Sequence, residues 1–261
     1  MNSIDAAKDK ALWNSSKVVH SYAADGKLQM AEQKIMELLG DRLGSMRMLD
    51  LGIGGGRTTL HFEPRVNEYV GSDYAENMVE ASKKRFPNAG PRTRFEIVDA
   101  TDMNGVPDAC FDFILFSFNG IDCVAPEDRD KVFLEVRRAG KPGGYFAFST
   151  HNLYFIPKLY KIRRRDTWKE FLYQFYRIPL LYWYNGAPGR YRRRQSAVFR
   201  NGVEGFSLNL HYIRPENQVK HLQDLGFKNI RVFSHKTGDA LNVQELAAYD
   251  KDAWLYYLCE I

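Results

Sequence analysis

The chain has 261 residues and is 44% hydrophobic, enough for one large α/β domain or a domain with a cap, which excludes a disordered chain. No run approaches the roughly 18 apolar residues of a membrane span, and the first five residues lack a signal peptide's apolar stretch, so a soluble, cytoplasmic protein is expected. Three scattered cysteines, Cys110, Cys123 and Cys259, exclude a disulfide framework or a metal knuckle, and the net charge of +5 is unevenly spread. Residues 158–200 hold twelve Lys/Arg against two acids, a local +10 that leaves the remainder at −5. That asymmetry points to a separate substrate or partner surface on a mildly acidic scaffold.

Residues 1–45 precede the first strand and are expected to form an amino-terminal helical lid. From residue 46 to 150, apolar β-type runs alternate with helical patterns, as in parallel strands buried under helices on both faces. Strands are predicted at 46–51, 68–72, 94–98, 111–117 and 144–149, and helices at 75–86 and 126–139. The KPGG run at 141–144 stops the second helix and turns the chain into the next strand. Residues 154–200 hold thirteen aromatics and the clusters Arg163 to Arg165 and Arg192 to Arg194 with no clean period, and are read as an insertion. Beyond it come a strand at 206–213, a helix at 215–225 with Pro215 in its first turn and Gly226 just past its end, and strands at 228–235 and 254–259. A long polar connection separates the last two, which fits an antiparallel pair at the sheet edge. The expected architecture is α/β, a seven-stranded, mostly parallel, doubly wound sheet with that antiparallel pair and an inserted cap. Its parts are the lid (1–45), a first core segment (46–153), the cap (154–205) and the final helix and strands (206–261).

At residues 50–56 the run DLGIGGG sets a glycine cluster where the first strand ends and a helix begins, a place where backbone must approach a ligand closely. Counting from Gly52, the sixth position of G-x-G-x-x-G is Arg57, so the dinucleotide pattern fails. The D-x-G-x-G-x-G pattern is met by Asp50, Gly52, Gly54 and Gly56. Asp73 ends the second strand and is followed by Tyr74 and, four residues on, Met78; Asp99 and Ala100 follow the third; Phe116 lies in the fourth, within FDFILFSFNG. In these five motifs, in order over about the first 150 residues, the sequence resembles the class I S-adenosylmethionine (SAM) dependent methyltransferases. The resemblance implies a Rossmann-like SAM-binding core in which the glycine loop wraps the methionine part of SAM and Asp73 accepts from the ribose hydroxyls. It further implies that Tyr74 and Met78 pack on adenine, that Asp99 and Ala100 read its edge, and that the Phe116 strand passes beside the reacting methyl. Tyr22, about one helix ahead of the first strand, is the candidate for the methionine carboxylate. Each residue taken singly also fits a structural role: Asp50 closing the loop, Asp73 capping a helix, Asp99 an ordinary turn acid, Tyr22 an anchor of its helix.

The implied enzyme moves a methyl group from SAM, leaving S-adenosylhomocysteine, to an O or N atom. A hydroxyl or ammonium acceptor needs a base, and histidine suits neutral pH. His151 follows the fifth strand and His211, beside Tyr212, lies past the insertion; either fits, as does a structural histidine at each place. Asn119, Tyr212 and Arg192 are the candidates for holding the acceptor. The arginine-rich insertion suggests a small, anionic or sugar-like molecule, with solvated surface as the plain alternative. The absence of an N/D-P-P-Y/F run after the fourth strand, where SFNGI stands, and of a Pro-Cys pair disfavours nucleic-acid base methylation. Binding RNA or an anionic membrane surface through arginines interleaved with Tyr182, Trp183 and Tyr184, acting on RNA or protein through the basic insertion, or binding SAM without turnover, remain alternatives. No carboxylates cluster as a metal site, and a monomer or homodimer is expected.

Overall fold

A computed structural model describes residues 3–24, 26–164 and 167–261, so Arg165 and Asp166 of the basic segment lie outside the described residues. Three helices open the chain: α1 (Ala6–Trp13), α2 (Ser16–Ala24) and α3 (Met30–Leu39). Asp5 starts α1 by accepting the Lys8 backbone N–H at 3.1 Å, and Glu32 reaches back to the Gln29 N–H to start α3. Then follow β1 (Arg47–Leu51), a single turn α4 (Thr59–Phe62), β2 (Glu68–Asp73), α5 (Glu76–Arg85), β3 (Thr93–Ile97) and β4 (Phe111–Phe116). The core continues with α6 (Arg129–Ala139) and the 13-residue β5 (Gly140–Asn152). The insertion holds α7 (Ile156–Leu159), α8 (Trp168–Asn185) and β6 (Ser196–Phe199), and β7 (Leu210–Ile213) follows it. The chain then completes the core with α9 (Pro215–Asp224), β8 (Lys228–Ser234), β9 (Ala240–Leu241) and β10 (Trp254–Glu260).

The strands lie in the order β3-β2-β1-β4-β5-β10-β8-β9. The first five are mutually parallel, while β10 runs antiparallel to both β5 and β8. The central strands are buried on both faces, which is why they read as unbroken apolar runs. Along β4, Ile114 and Phe116 face α6 and α9, whereas Phe113 and Leu115 face the layer that contains α3. The same parity holds in β10, with Leu255 and Tyr257 on the first side and Tyr256 and Leu258 on the second. Among the described residues no helix is long and apolar enough to cross a membrane.

The α/β, mostly parallel, doubly wound architecture is as expected, with four differences. The sheet has ten strands, not seven: β6 in the insertion and the two-residue β9 in the final connection are additional, and the strand predicted at 206–213 also joins the sheet, as β7. β7 is parallel to the projecting end of β5, with Tyr212 opposite His151 and Ile213 opposite Asn152. The strand predicted at 206–213 is ordered as β only from Leu210, because Glu204, Gly205 and Phe206 adopt positive φ (46°, 65° and 66°), which no strand accommodates. The insertion contains an 18-residue helix where no clean period was expected. Thr167 caps α8, and its inner face is fastened by amides: Gln174 exchanges hydrogen bonds with the Arg163 backbone and Asn185 with that of Arg200. A separate apolar core under the insertion joins Ile156, Tyr160, Leu181, Phe199 and Leu210 and meets Leu12 and Trp13 of the amino-terminal helices. The segment at 1–45 is likewise divided. α3 packs Ala31, Ile35 and Leu39 against the sheet as part of the core, so only α1 and α2 are placed to cover an opening.

Candidate active site

The carboxyl ends of β1, β2, β4 and β5 open into one cavity of about 600 Å³. α1 and α2 cover it on one side through Ala6, Lys10, Trp13 and Tyr22, and the return of the insertion closes another through Asn201, Val203, Leu208 and Leu210. This is the crevice that an open α/β sheet offers at the point where strand order reverses, here between β1 and β4.

The floor is the glycine loop. Gly52 and Gly54 hold φ of +63° and +54°, a conformation that L side chains rarely adopt. A Cβ on Gly52 would stand 2.8 Å from the Phe116 ring, and one on Gly54 would touch Tyr22 at 3.5 Å, so the loop is pressed between a strand and the covering helix. Asp73 stiffens it from beside: Oδ2 accepts the Gly54 N–H at 3.0 Å and Oδ1 the Ala75 N–H at 2.9 Å. Each carboxylate oxygen retains a second lone pair for a ligand hydroxyl. Burial pushes the Asp73 carboxyl up to about 6, against which the backbone N–H groups of Ala75 and Gly54 pull. Asp50 also lines the cavity, but its carboxylate accepts from the hydroxyls of Thr58 and Tyr69, both at 2.6 Å, and ties β1 to β2 and the loop. Asp99 holds its own turn, taking the Thr101 N–H and hydroxyl on Oδ1, and stands exposed at the rim beside the half-buried Ala100.

Beyond the loop the wall changes character. Asn119 adopts a left-handed conformation (φ 63°) and donates its N–H to Ser149 Oγ at 2.7 Å. Its side-chain Oδ1 is buried at the cavity and has no partner among the described residues. Such an acceptor is costly to leave unpaired, so it marks a place for a ligand donor or a water. His151 stands near it, at the end of β5. Its Nδ1 and its backbone N–H both lie 2.7 Å from Asp122 Oδ2. Asp122 Oδ1 in turn accepts from the Thr150 hydroxyl at 2.5 Å and from Arg129 at 3.1 Å, all within a fully buried site. Burial pushes the Asp122 carboxyl up, but the hydrogen bond from His151 and the Arg129 charge help to outweigh it and hold the group below its ordinary 3.8. A charged Asp122 keeps the proton on Nδ1, leaving Nε2 as the acceptor of the ring. Arg57, also on the wall, is committed to Glu32 through two hydrogen bonds of 2.6 Å and lies 5.1 Å over the Phe118 ring. The Cys123 thiol reaches the cavity too, and burial pushes it far up, so it stays protonated.

The structure therefore brings twelve of the fifteen predicted residues to one wall: Tyr22, Asp50, Gly52, Gly54, Asp73 and Tyr74 with Met78, Asp99, Ala100, Phe116, Asn119 and His151. Three are not on it. Consecutive residues of a strand face opposite sides, and the register that sets Tyr212 beside His151 turns His211 away. His211 is buried, held well below 6.5 first by burial and then by the Arg129 charge, and its Nδ1 has no partner among the described residues. Tyr212 stacks on the His151 ring at 4.6 Å and takes the Asn201 amide on its hydroxyl, supporting the histidine from behind. Arg192 is exposed in the turn after α8, off the cavity. Asp122 and Arg57 carried no expectation. An acid in the turn directly after the fourth strand was the only signal for Asp122.

Residues 48–144, from β1 into β5, match a family described as a methyltransferase domain. Residues 48–144 are thus a methyltransferase domain, whose motifs resemble those of the class I S-adenosylmethionine-dependent methyltransferases. Solved structures carry the same fold at low identity. A SAM-dependent methyltransferase from Mesorhizobium loti is 20% identical, covering 88% of this chain and 98% of that one with a TM-score of 0.61. One from Clostridium acetobutylicum is 16% identical over 94% and 98%, with a TM-score of 0.62. A phosphoethanolamine N-methyltransferase from Haemonchus contortus, solved with phosphoethanolamine and S-adenosylhomocysteine, is 12% identical over 98% of this chain and 49% of that one, TM-score 0.58. No curated protein sequence matches the chain. The glycine floor fits SAM: a cradle in which a Cβ on Gly52 would strike the Phe116 ring, beside a carboxylate with lone pairs to spare.

Proposed function

We propose that this methyltransferase acts on an oxygen or nitrogen atom of a small acceptor held beside His151, which serves as the base. The observation that carries the reading is the Asp122–His151 pair at the cavity wall, with the imidazole stacked on Tyr212 and its tautomer set. SAM supplies an activated methyl on a sulfonium that is itself a good leaving group, so the chain's own part is to hold, orient and deprotonate.

Gly52, Gly54 and Tyr22 would hold the methionine end of the cofactor, Asp73 the ribose, and Tyr74, Met78, Asp99 and Ala100 the adenine. Phe116 would border the methyl. Asn119 would receive a donor from the acceptor on its unpartnered Oδ1, and Nε2 of His151 would take the proton of an attacking hydroxyl or ammonium. Leu208, Leu210 and Val203 give the far end of the cavity an apolar lining, which suits an acceptor with an apolar body. The Haemonchus enzyme is a precedent on this fold for a small anionic acceptor. In the present chain, however, Arg192, Arg193 and Arg194, which suggested an anion, stand off the cavity. Incubating the protein with SAM and fractionated metabolite extracts, and following S-adenosylhomocysteine, tests the reading. Turnover by the wild type with loss in His151→Gln supports it, and equal turnover in the two removes His151 as the base.

A further inference from the structure

The outward face of α8 is unlike the rest of the surface. At about 100° per residue, Trp168, Leu172, Phe175, Tyr176, Tyr182 and Trp183 fall with Pro179 on one arc of about 120°. All six large side chains are exposed, Trp168 at 71% and Trp183 at 83%. The inner face is the more polar one, built on Gln174, Asn185 and Leu181, so the helix turns its apolar stripe to solvent. A contiguous apolar stripe of this kind marks a contact surface.

Charge identifies the contact. The stripe itself holds no ionised residue, and the only acid of α8, Glu170, projects on its opposite side by helical periodicity. Exposed cations stand at both ends: Lys161, Arg164 and Lys169 near the start, Arg192, Arg193 and Arg194 after the finish. An apolar stripe rich in Trp and Tyr between basic ends is the pattern of a helix lying in a lipid–water interface, its rings at headgroup depth and its cations on anionic lipids. A second copy fits less well. An 18-residue helix is about 27 Å long and about 10 Å wide, giving on the order of 300 Å² against the roughly 800 Å² per partner of a stable interface. Such pairing would also bring two +10 segments together. Single-stranded nucleic acid is bound where cations line the same groove as the rings, whereas here they lie outside the stripe.

We propose that α8 is an interfacial helix that docks this methyltransferase, in the plane of the surface, onto bilayers containing anionic phospholipid. The test is flotation of the full chain with phosphatidylcholine vesicles, with and without phosphatidylglycerol. The expected result is binding to the anionic vesicles that falls with added salt, accompanied by a blue shift of tryptophan emission. Leu172→Gln/Phe175→Gln/Trp183→Gln should weaken binding by about tenfold or more while S-adenosylhomocysteine affinity, the control for folding, is unchanged. Trp183→Ser, at a side chain almost wholly in solvent, should give a smaller loss in the same direction. The proposal is overturned if anionic vesicles fail to float the protein, or if both variants float as well as the wild type. It is also overturned if the stripe variants lose self-association or oligouridylate binding while lipid binding was never present.

Discussion

Asp122 accepts four donors on two oxygens, and three of them belong to the end of β5. That geometry sets the imidazole of His151 more firmly than a single hydrogen bond would, which makes the pair testable residue by residue. His151→Gln should lower kcat by roughly 100-fold to 1,000-fold with S-adenosylhomocysteine affinity unchanged, as expected of a lost general base. Asp122→Asn should also cost about 3 kcal/mol of stability, because Arg129, buried beside it, is left unpaired; thermal melting reads that loss separately from kcat.

Asp73 gives a second residue-scale prediction through its titration. Its carboxyl is near 6 in the folded chain against 3.8 ordinarily, so between these values the native state binds more protons than the unfolded one. Protonation of Asp73 therefore adds stability as pH falls from 7 through 6, a gain on the order of 3 kcal/mol at full extent. His211 works in the opposite sense, since its depressed value makes the unfolded state the better proton binder below 6.5. Comparing Asp73→Asn with the wild type isolates the first effect: the variant's Tm relative to wild type should drop by several degrees between pH 7 and pH 5. A constant difference would show that Asp73 is already solvated. Cofactor affinity should move the other way, weakening below pH 6 in the wild type as the carboxylate loses its acceptors, and Asp73→Ala should weaken it by about 1 to 3 kcal/mol at pH 7.

At the scale of elements, the glycine loop couples local conformation to packing. Gly54→Val should abolish cofactor binding by calorimetry, because φ of +54° is strained for a β-branched residue and the added methyls meet Tyr22 of α2. Normal affinity in that variant would move the cofactor elsewhere. The parallel core was legible in the sequence because strands buried on both faces need apolar residues at every position, and strand ends there carry the acids that line the cavity. Less legible was anything set by register. Nothing in the sequence says that Tyr212 pairs with His151, so it could not say which of His151 and His211 faces the opening, or that Asp122 lies under one of them. α8 was missed for a different reason. Its stripe has a helical period, but it faces water, and buried amides at Gln174 and Asn185 break the rule that apolar residues point inward. Arg192 misled because composition counts charges without telling where their side chains point.

In the whole molecule, α1 and α2 are the bridge between core and cap. Val18 packs with Ala75 and Met78 at the head of α5, while Leu12 and Trp13 meet the apolar core of the insertion. Neither helix contributes to the two clusters that sandwich the sheet. The sheet therefore does not need these helices to fold, but the cavity needs them to be closed. A chain lacking residues 3–24 should fold with its sheet intact, melt cooperatively, and lose S-adenosylhomocysteine affinity by about 100-fold or more, since Tyr22, Trp13 and Lys10 leave the wall. Thermal shift makes the comparison direct. Ligand at 100 times Kd adds about 2.7 kcal/mol to the full chain. For a domain of this size that is a rise in Tm of roughly 5 to 11 °C. The truncated chain at the same ligand concentration should show almost none. If it keeps the full rise, the amino-terminal helices are not part of the cofactor site, and the cavity's floor alone holds the ligand.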